Sequence, residues 1–226
     1  MLDFIRDSLV LYLPLWKKDA ATGQTFMSED AYGHLCTITG ASWRIDGRTF
    51  NGITNKIVIA DAASLQLTGA FTLGCWMLQE IKGLEGLITK APGVEGQQEW
   101  YLIISATGQV LVGWLSSTNP NYLQCFGTLD VSDAAWHHIM VTWNGINTIG
   151  STVIYVDSAV DALSADTKGG TGYTPYDGVA NVEIGRYFGS DVYCFDGWIG
   201  EVCIYNRALS AQEIQHIYLA TKWRYR

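Results

Sequence analysis

The feature that most constrains this chain is its punctuation. Short apolar or alternating runs recur along it, separated by clusters of Gly, Asn, Asp, Ser and Thr. That pattern is the mark of many short strands joined by turns. The runs are Leu9–Leu13, Ser42–Ile45, Lys56–Ile59, Phe71–Leu78, Gly86–Thr89, Trp100–Ser105, Gln109–Leu115, Tyr122–Phe126, His137–Trp143, Thr152–Val156, Val179–Ile184 and Gly197–Tyr205. Thr107-Gly108 reads as a tight hairpin turn, because glycine reaches positive φ without a Cβ clash; Asp157-Ser158 is a second turn of less ideal chemistry.

In the run 136–143, His137, Ile139, Val141 and Trp143 point one way, and Trp136, His138, Met140 and Thr142 the other. Large residues on both faces predict a central strand covered on both sides, as two packed antiparallel sheets would provide. One helix is expected near the C-terminus. Ser210-Ala-Gln-Glu213 matches a capping box, and Ile214, Ile217 and Tyr218 form one apolar stripe behind it. The longest predicted loop is 161–177.

The 226 residues suffice for one sizeable core, and 48% hydrophobic content excludes intrinsic disorder. With no repeat or linker in view, residues 1–226 are expected to form a single domain. A net charge of −8 argues against nucleic acid as a partner. No run of 18 apolar residues exists, so no membrane insertion is expected. The first residues carry Asp3 and Asp7 and lack a basic segment, and they are read as mature structure within a strand Ser8–Leu15 rather than as a signal peptide. Five dispersed cysteines, Cys36, Cys75, Cys125, Cys194 and Cys203, are expected to be buried free thiols.

Several strings, in this order and spacing, carry a resemblance: Phe50-Asn-Gly52, Phe71-Thr-Leu-Gly-Cys-Trp76, Trp136-His-His-Ile-Met-Val-Thr-Trp143, Ile154-Tyr-Val-Asp157, Val182-Glu-Ile-Gly185, and the long run from Phe195 through Asp196-Gly-Trp-Ile-Gly-Glu-Val-Cys-Ile-Tyr205 to Ser210. From about residue 48 to residue 219 the chain resembles the laminin-G-like, concanavalin A-like lectin/glucanase superfamily. The resemblance implies an all-β fold, an antiparallel two-sheet jelly-roll sandwich with one short C-terminal helix. It also implies binding of glycans or proteins, with a minority of members being glycosidases. Calcium-binding relatives have acidic residues where this chain has Asn55 and Gly200. Since calcium wants six to eight oxygens, no cofactor and no metal are expected, calcium being the one ion the resemblance raises.

The chain is expected not to be an enzyme. The glucanase pattern Glu-x-Asp-x-x-Glu is absent among its eight glutamates, and Glu95 and Glu99 read as a solvated loop. No nucleophile elbow, G-x-G-x-x-G or P-loop occurs. His137 and His138 face opposite ways on a regular strand and read as structural.

Nine tryptophans and twelve tyrosines leave the stronger signal, since flat aromatics stack on sugar faces while Asn and Asp bond hydroxyls. The ligand-binding candidates are Trp100, Trp114, Asn121 and Tyr122, and Tyr176, Asp177, Tyr187 and Asp191. The basic aromatic tail, with Trp223, Arg224, Tyr225 and Arg226, is expected to contact another subunit of a homo-oligomer. The expected function is a non-enzymatic lectin-like recognition or decoration module. Its partner would be a glycan or glycoprotein surface, with capsid or tail proteins as neighbours. It would be displayed on a virion or other extracellular assembly reached without a signal peptide, or else be cytoplasmic. A purely structural subunit of such an assembly is the alternative, and a glycosidase or polysaccharide lyase with an unrecognised site is the third reading.

Overall fold

The computed structural model describes residues 6–18, 24–93, 99–115, 122–146, 149–168 and 176–226. In chain order the first strands are β1 (Leu9–Pro14), β2 (Thr25–Met27), β3 (Leu35–Thr39), β4 (Ser42–Arg44), β5 (Gly47–Asn51) and β6 (Lys56–Ile59). Next come β7 (Phe71–Gln79), β8 (Glu85–Lys90), β9 (Trp100–Ile104), β10 (Gln109–Leu115), β11 (Tyr122–Asp130) and β12 (Trp136–Trp143). The series continues with β13 (Thr152–Val156), β14 (Ala159–Asp161), β15 (Ser164–Lys168), β16 (Val182–Ile184), β17 (Arg186–Tyr187), β18 (Ser190–Cys194) and β19 (Asp196–Tyr205), before helix α1 (Ala211–Thr221).

Two antiparallel sheets face each other. The first runs β14-β13-β12-β7-β19-β5-β4, with β1 also on β19; the second runs β15-β11-β10-β9-β8-β16-β6-β3-β2. The alternation read from 136–143 is realised here. Ile139, Val141 and Trp143 enter the core between the sheets, while Met140 turns outward to meet Tyr155, Cys203 and the helix. Trp114 of the second sheet and Trp143 of the first meet across that core at 4.8 Å between ring centroids, with Phe71 edge-on to Trp114 at 5.5 Å. Such aromatic pairs add about 1 kcal/mol beyond the area they bury.

The helix begins where the capping box predicts. Ser210 Oγ accepts from the Glu213 amide, and Glu213 Oε2 accepts from the Ser210 amide at 2.8 Å. Arg207 reaches the same carboxylate and holds it down at about 2. Ile214 and Ile217 are buried against Leu9, Tyr205 and Leu209, each contributing roughly 2 kcal/mol.

Three local readings change. β15 lies inside the stretch 161–177 expected to be loop, and the 179–184 run becomes a strand only from Val182. Strand β3, paired between β6 and the edge strand β2, alternates exposed and buried positions, a pattern short enough to be missed among threonines. All five cysteines are buried free thiols.

Asp157 and Ser158 both have positive φ, 52° and 69°, in the β13–β14 turn. Asp157 tolerates this, and its carboxylate fastens the turn to β12 by accepting from the His138 amide at 2.9 Å and contacting His137 Nδ1 at 2.9 Å. That contact, reinforced by Asp133 at Nε2, raises the His137 pKa above its ordinary 6.5. Because the folded value is the higher one, this contribution is complete below pH 6.5 and fades as pH rises through the folded value. The unfolding midpoint should therefore fall on going from pH 6 to pH 8, and His137→Gln should flatten that slope. An unchanged slope in the variant would remove His137 as its source.

Candidate functional site

The central strand β19 divides the outer face of the first sheet. Its early half, Asp196–Ile199, pairs with β5, and its later half, Glu201–Tyr205, pairs with β1. Helix α1 covers the later half. The early half stays open, and there the register sets one row of side chains across five strands. Trp136 of β12 is opposite Leu78 of β7; Leu78 is opposite Trp198 of β19; Trp198 is opposite Thr49 of β5; Thr49 is opposite Ser42 of β4. Directly paired residues share a face, so this row is the floor of a groove of roughly 1250 Å³.

The rim is polar. Asn51, Arg44, Asp46 and Glu80 line it, and Trp43 stands at the sheet edge with its indole N–H donating to the Trp16 carbonyl at 2.9 Å. Arg44 Nε donates to Thr49 Oγ1 at 2.9 Å. Asn51 Oδ1 accepts the amides of Ile53, Thr54 and Asn55, which fixes the loop beside the groove.

The chain's own tail supplies the remaining wall. After α1 it turns back, and Tyr225 stacks on Trp76 at 4.4 Å and packs on Trp136 at 4.8 Å. Gly200 makes room for it: a Cβ there would fall 2.4 Å from Tyr225 Cε1. Arg224 lies over Trp16 at 3.9 Å and pairs with Glu201. The expectation that the tail serves a subunit contact is corrected for these two residues. Tyr225 is buried and Arg224 is engaged within its own chain, because a basic aromatic segment finds an acidic and aromatic seat on the sheet beside it. Trp223 and Arg226 remain exposed.

The ligand candidates read from sequence are scattered. Trp100 and Trp114 are core residues, 2% and 1% exposed, and are withdrawn as surface contacts. Both faces of β9 and β10 are buried, so a tryptophan there packs inward. Asn121 lies outside the described residues, as does Glu95. Tyr187 and Tyr122 come together around the buried Tyr101 on the outer face of the second sheet; Tyr187 is 5.2 Å from that ring, and burial and the two neighbouring phenols push the Tyr101 hydroxyl up. Asp191 pairs with Arg186 at 3.1 Å and with Lys56 at 3.7 Å. Tyr176 and exposed Asp177 sit in the segment before β16, near Glu99 rather than near the groove. Glu99 is no solvated loop residue, for it is 2% exposed and bound to Lys90. The sequence does not single out Trp198, Trp136 or Trp43, although the alternation of 136–143 puts Trp136 on the face opposite Ile139, Val141 and Trp143.

Among the described residues, no three His, Cys, Asp or Glu side chains gather as metal ligands would. The Asn55 amide is packed against Gly40, and Gly200 lies under Tyr225. No helix among them is long and apolar enough to cross a membrane.

The model of the concanavalin A-like lectin/glucanases superfamily matches residues 51–215. The chain belongs to that superfamily. A comparison with curated proteins gives no match. Similar solved structures share the fold. One is the binding domain of paraclostridial mosquitocidal protein 1, with 14% identity and a TM-score of 0.68 over 96% of this chain and 53% of that one. Another is a structure of botulinum neurotoxin type C, whose cell entry is described as dependent upon interaction with two ganglioside molecules, with 13% identity and a TM-score of 0.70 over 98% and 53%. A third is Trypanosoma rangeli sialidase, with 18% identity and a TM-score of 0.65 over 96% and 33%. The chain thus spans about half of the binding-domain structures it matches.

Proposed function

We propose that this superfamily member is a non-enzymatic glycan-binding module whose site is the groove over Trp136, Leu78, Trp198 and Thr49. The observation that carries this reading is the cross-strand row. Two indoles, separated by one strand on a rigid sheet, offer flat apolar surface for sugar rings, and Asn51, Arg44, Asp46 and Glu80 supply hydrogen bonds for hydroxyls. A neighbour named as the receptor-binding domain of botulinum neurotoxin D, and the type C neurotoxin whose cell entry is described as dependent upon two ganglioside molecules, support carbohydrate as the ligand class. The groove carboxylates, Asp46 and Glu80, lie on different elements and have no strand-borne partner arranged as in the glucanase pattern.

The test is a glycan array followed by calorimetry on the best hit. Trp198→Ala or Trp136→Ala should weaken binding by roughly thirtyfold, about 2 kcal/mol for a central aromatic anchor. Tyr187→Ala should leave it unchanged. Loss on Tyr187→Ala with none on Trp198→Ala would move the site to the second sheet, and release of reducing ends from the bound glycan would replace the binding reading with an enzymatic one. Display on a larger assembly, such as a phage or virus particle, belongs to the same proposal, with exposed Trp223 and Arg226 as the tail residues left to meet a neighbour.

A further inference from the structure

The floor of the groove has a repeat. Strand by strand it runs Trp136, Leu78, Trp198, Thr49 and Ser42, one residue from each of β12, β7, β19, β5 and β4. Neighbouring strands lie about 4.8 Å apart, so the strands bearing the two indoles are about 10 Å apart and the whole row spans about 19 Å. The row follows the hydrogen-bonding direction of the sheet, so the backbone rather than a loop sets its spacing.

Sugar chains can carry the same repeat. An extended chain of β-1,4-linked pyranoses advances by about 5 Å per residue, which matches one strand spacing. Successive residues of such a chain are turned over, so alternate residues present the same face to a surface beneath them. Indoles on alternate strands, with Leu78 between them, suit residues n and n+2 of that chain. Past Trp198 the row turns polar, and Thr49 and Ser42 offer hydroxyls to the residues that follow. An α-1,4-linked chain coils instead, and its residues n and n+2 face different ways.

The ends and the charge of the groove narrow the ligand further. β4 is the last strand of its sheet, and all three of its residues are exposed. Beyond Trp136 the lining residues are Ala134 and Ala135, whose side chains end at a methyl group. A groove without end walls takes an internal stretch of chain rather than a terminus. Its charged lining residues balance, Arg44 and Arg226 against Asp46 and Glu80, so a carboxylate or sulfate on the ligand gains no net attraction.

We propose that the groove binds an internal stretch of a neutral β-1,4-linked polysaccharide lying across the strands, one pyranose per strand, with alternate residues stacked on Trp136 and Trp198. This rests on the groove being the glycan site and names the class of glycan it takes.

The experiment is calorimetry of the full chain with cello-, xylo- and chito-oligosaccharides of two to six residues, and with maltohexaose, the α-linked isomer of cellohexaose. In at least one β-1,4 series affinity should rise roughly thirtyfold from disaccharide to trisaccharide, the length that first covers both indoles. It should then climb by smaller steps to the pentasaccharide and level off. Maltohexaose should bind at least about tenfold more weakly than the best β-linked hexasaccharide. Affinity should hold between about 50 and about 500 mM NaCl, as it must for an uncharged ligand. Trp136→Ala should remove the step at the trisaccharide and spare the disaccharide, whereas Trp198→Ala should weaken every length. The length series needs no variant, so it decides even if Trp136→Ala loosens Tyr225. Equal affinity for disaccharide and hexasaccharide, maltohexaose binding as tightly as the β-linked chains, or tighter Trp198-dependent binding of hexagalacturonate would overturn the proposal and leave the groove standing as a glycan site. So would a Trp198-dependent array hit of another linkage with no binding in any β-1,4 series. Absence of Trp198-dependent binding to every sugar would overturn the groove reading itself, and this one with it.

Discussion

Lys90→Met should destabilise the fold by about 3–5 kcal/mol, the usual consequence of removing one partner of a buried ion pair. The Lys90 side chain is fully buried, and its Nζ contacts Glu99 Oε1 at 2.5 Å and Oε2 at 2.6 Å, Asp61 Oδ1 at 2.9 Å and Gln66 Oε1 at 3.2 Å. Through these contacts one ammonium ties the end of β8 to the start of β9, to the turn at 61–66 and, through Glu99, to the Ala180 amide. Burial pushes the Glu99 carboxyl up and Lys90 pulls it back. Without the lysine, that carboxylate must either stay charged in an apolar place or take up a proton. Urea unfolding of the single variant and of Lys90→Met/Glu99→Leu checks the argument. The double variant should recover most of the loss, since a buried pair is often replaceable by apolar residues although half a pair is not. A single-variant effect below about 1 kcal/mol would mean that water reaches the pair.

Gly200→Ala should have the next largest effect, and it acts through a residue far along the chain. The new methyl would occupy the Tyr225 ring, 2.4 Å from Cε1 and 2.6 Å from the hydroxyl oxygen. All three nearest atoms belong to the Tyr225 ring, so that ring must move, giving up its stacking on Trp76 and its packing on Trp136. A cost of about 1–3 kcal/mol is expected for overpacking, and about 3 kcal/mol for Tyr225→Ala, which empties the seat. The decisive quantity is the double-mutant cycle: on the Tyr225→Ala background, Gly200→Ala should cost under about 0.5 kcal/mol. Additive costs would show that Gly200 is required for a reason other than the tail.

Much of this architecture is legible from local pattern. The alternation at 136–143 states that both faces are covered, Ser210 and Glu213 announce the helix, and Thr107-Gly108 marks its hairpin. The groove was less accessible. Trp136 and Trp198 become one surface only when the register of β12, β7, β19 and β5 is known, and β19 shifts register between Ile199 and Val202. That irregularity depends on which strands flank β19, information no local window contains. Trp100 and Trp114 misled for the opposite reason, since β9 and β10 are buried on both faces and alternation cannot distinguish an inward tryptophan from an outward one. The tail posed a third problem. A basic aromatic end suits a partner molecule as well as its own sheet, and only the gap above Gly200 shows which seat it takes.

The placement of β19 also dictates when the fold can form. It is the last strand in sequence and sits in the middle of the first sheet, hydrogen-bonded to β7 on one side and to β5 and β1 on the other. A nascent chain that has already released β1, β5 and β7 from the ribosome therefore holds three strands with no template between them. Their unpaired edges stay open to other chains until residues 196–205 emerge. Closure then rests on pairings between distant parts of the sequence, such as Leu13 with Val202, which are slow to form. The central sheet cannot close before residues 196–205 are available, and the protein's yield in any host will depend on how well those waiting edges are shielded.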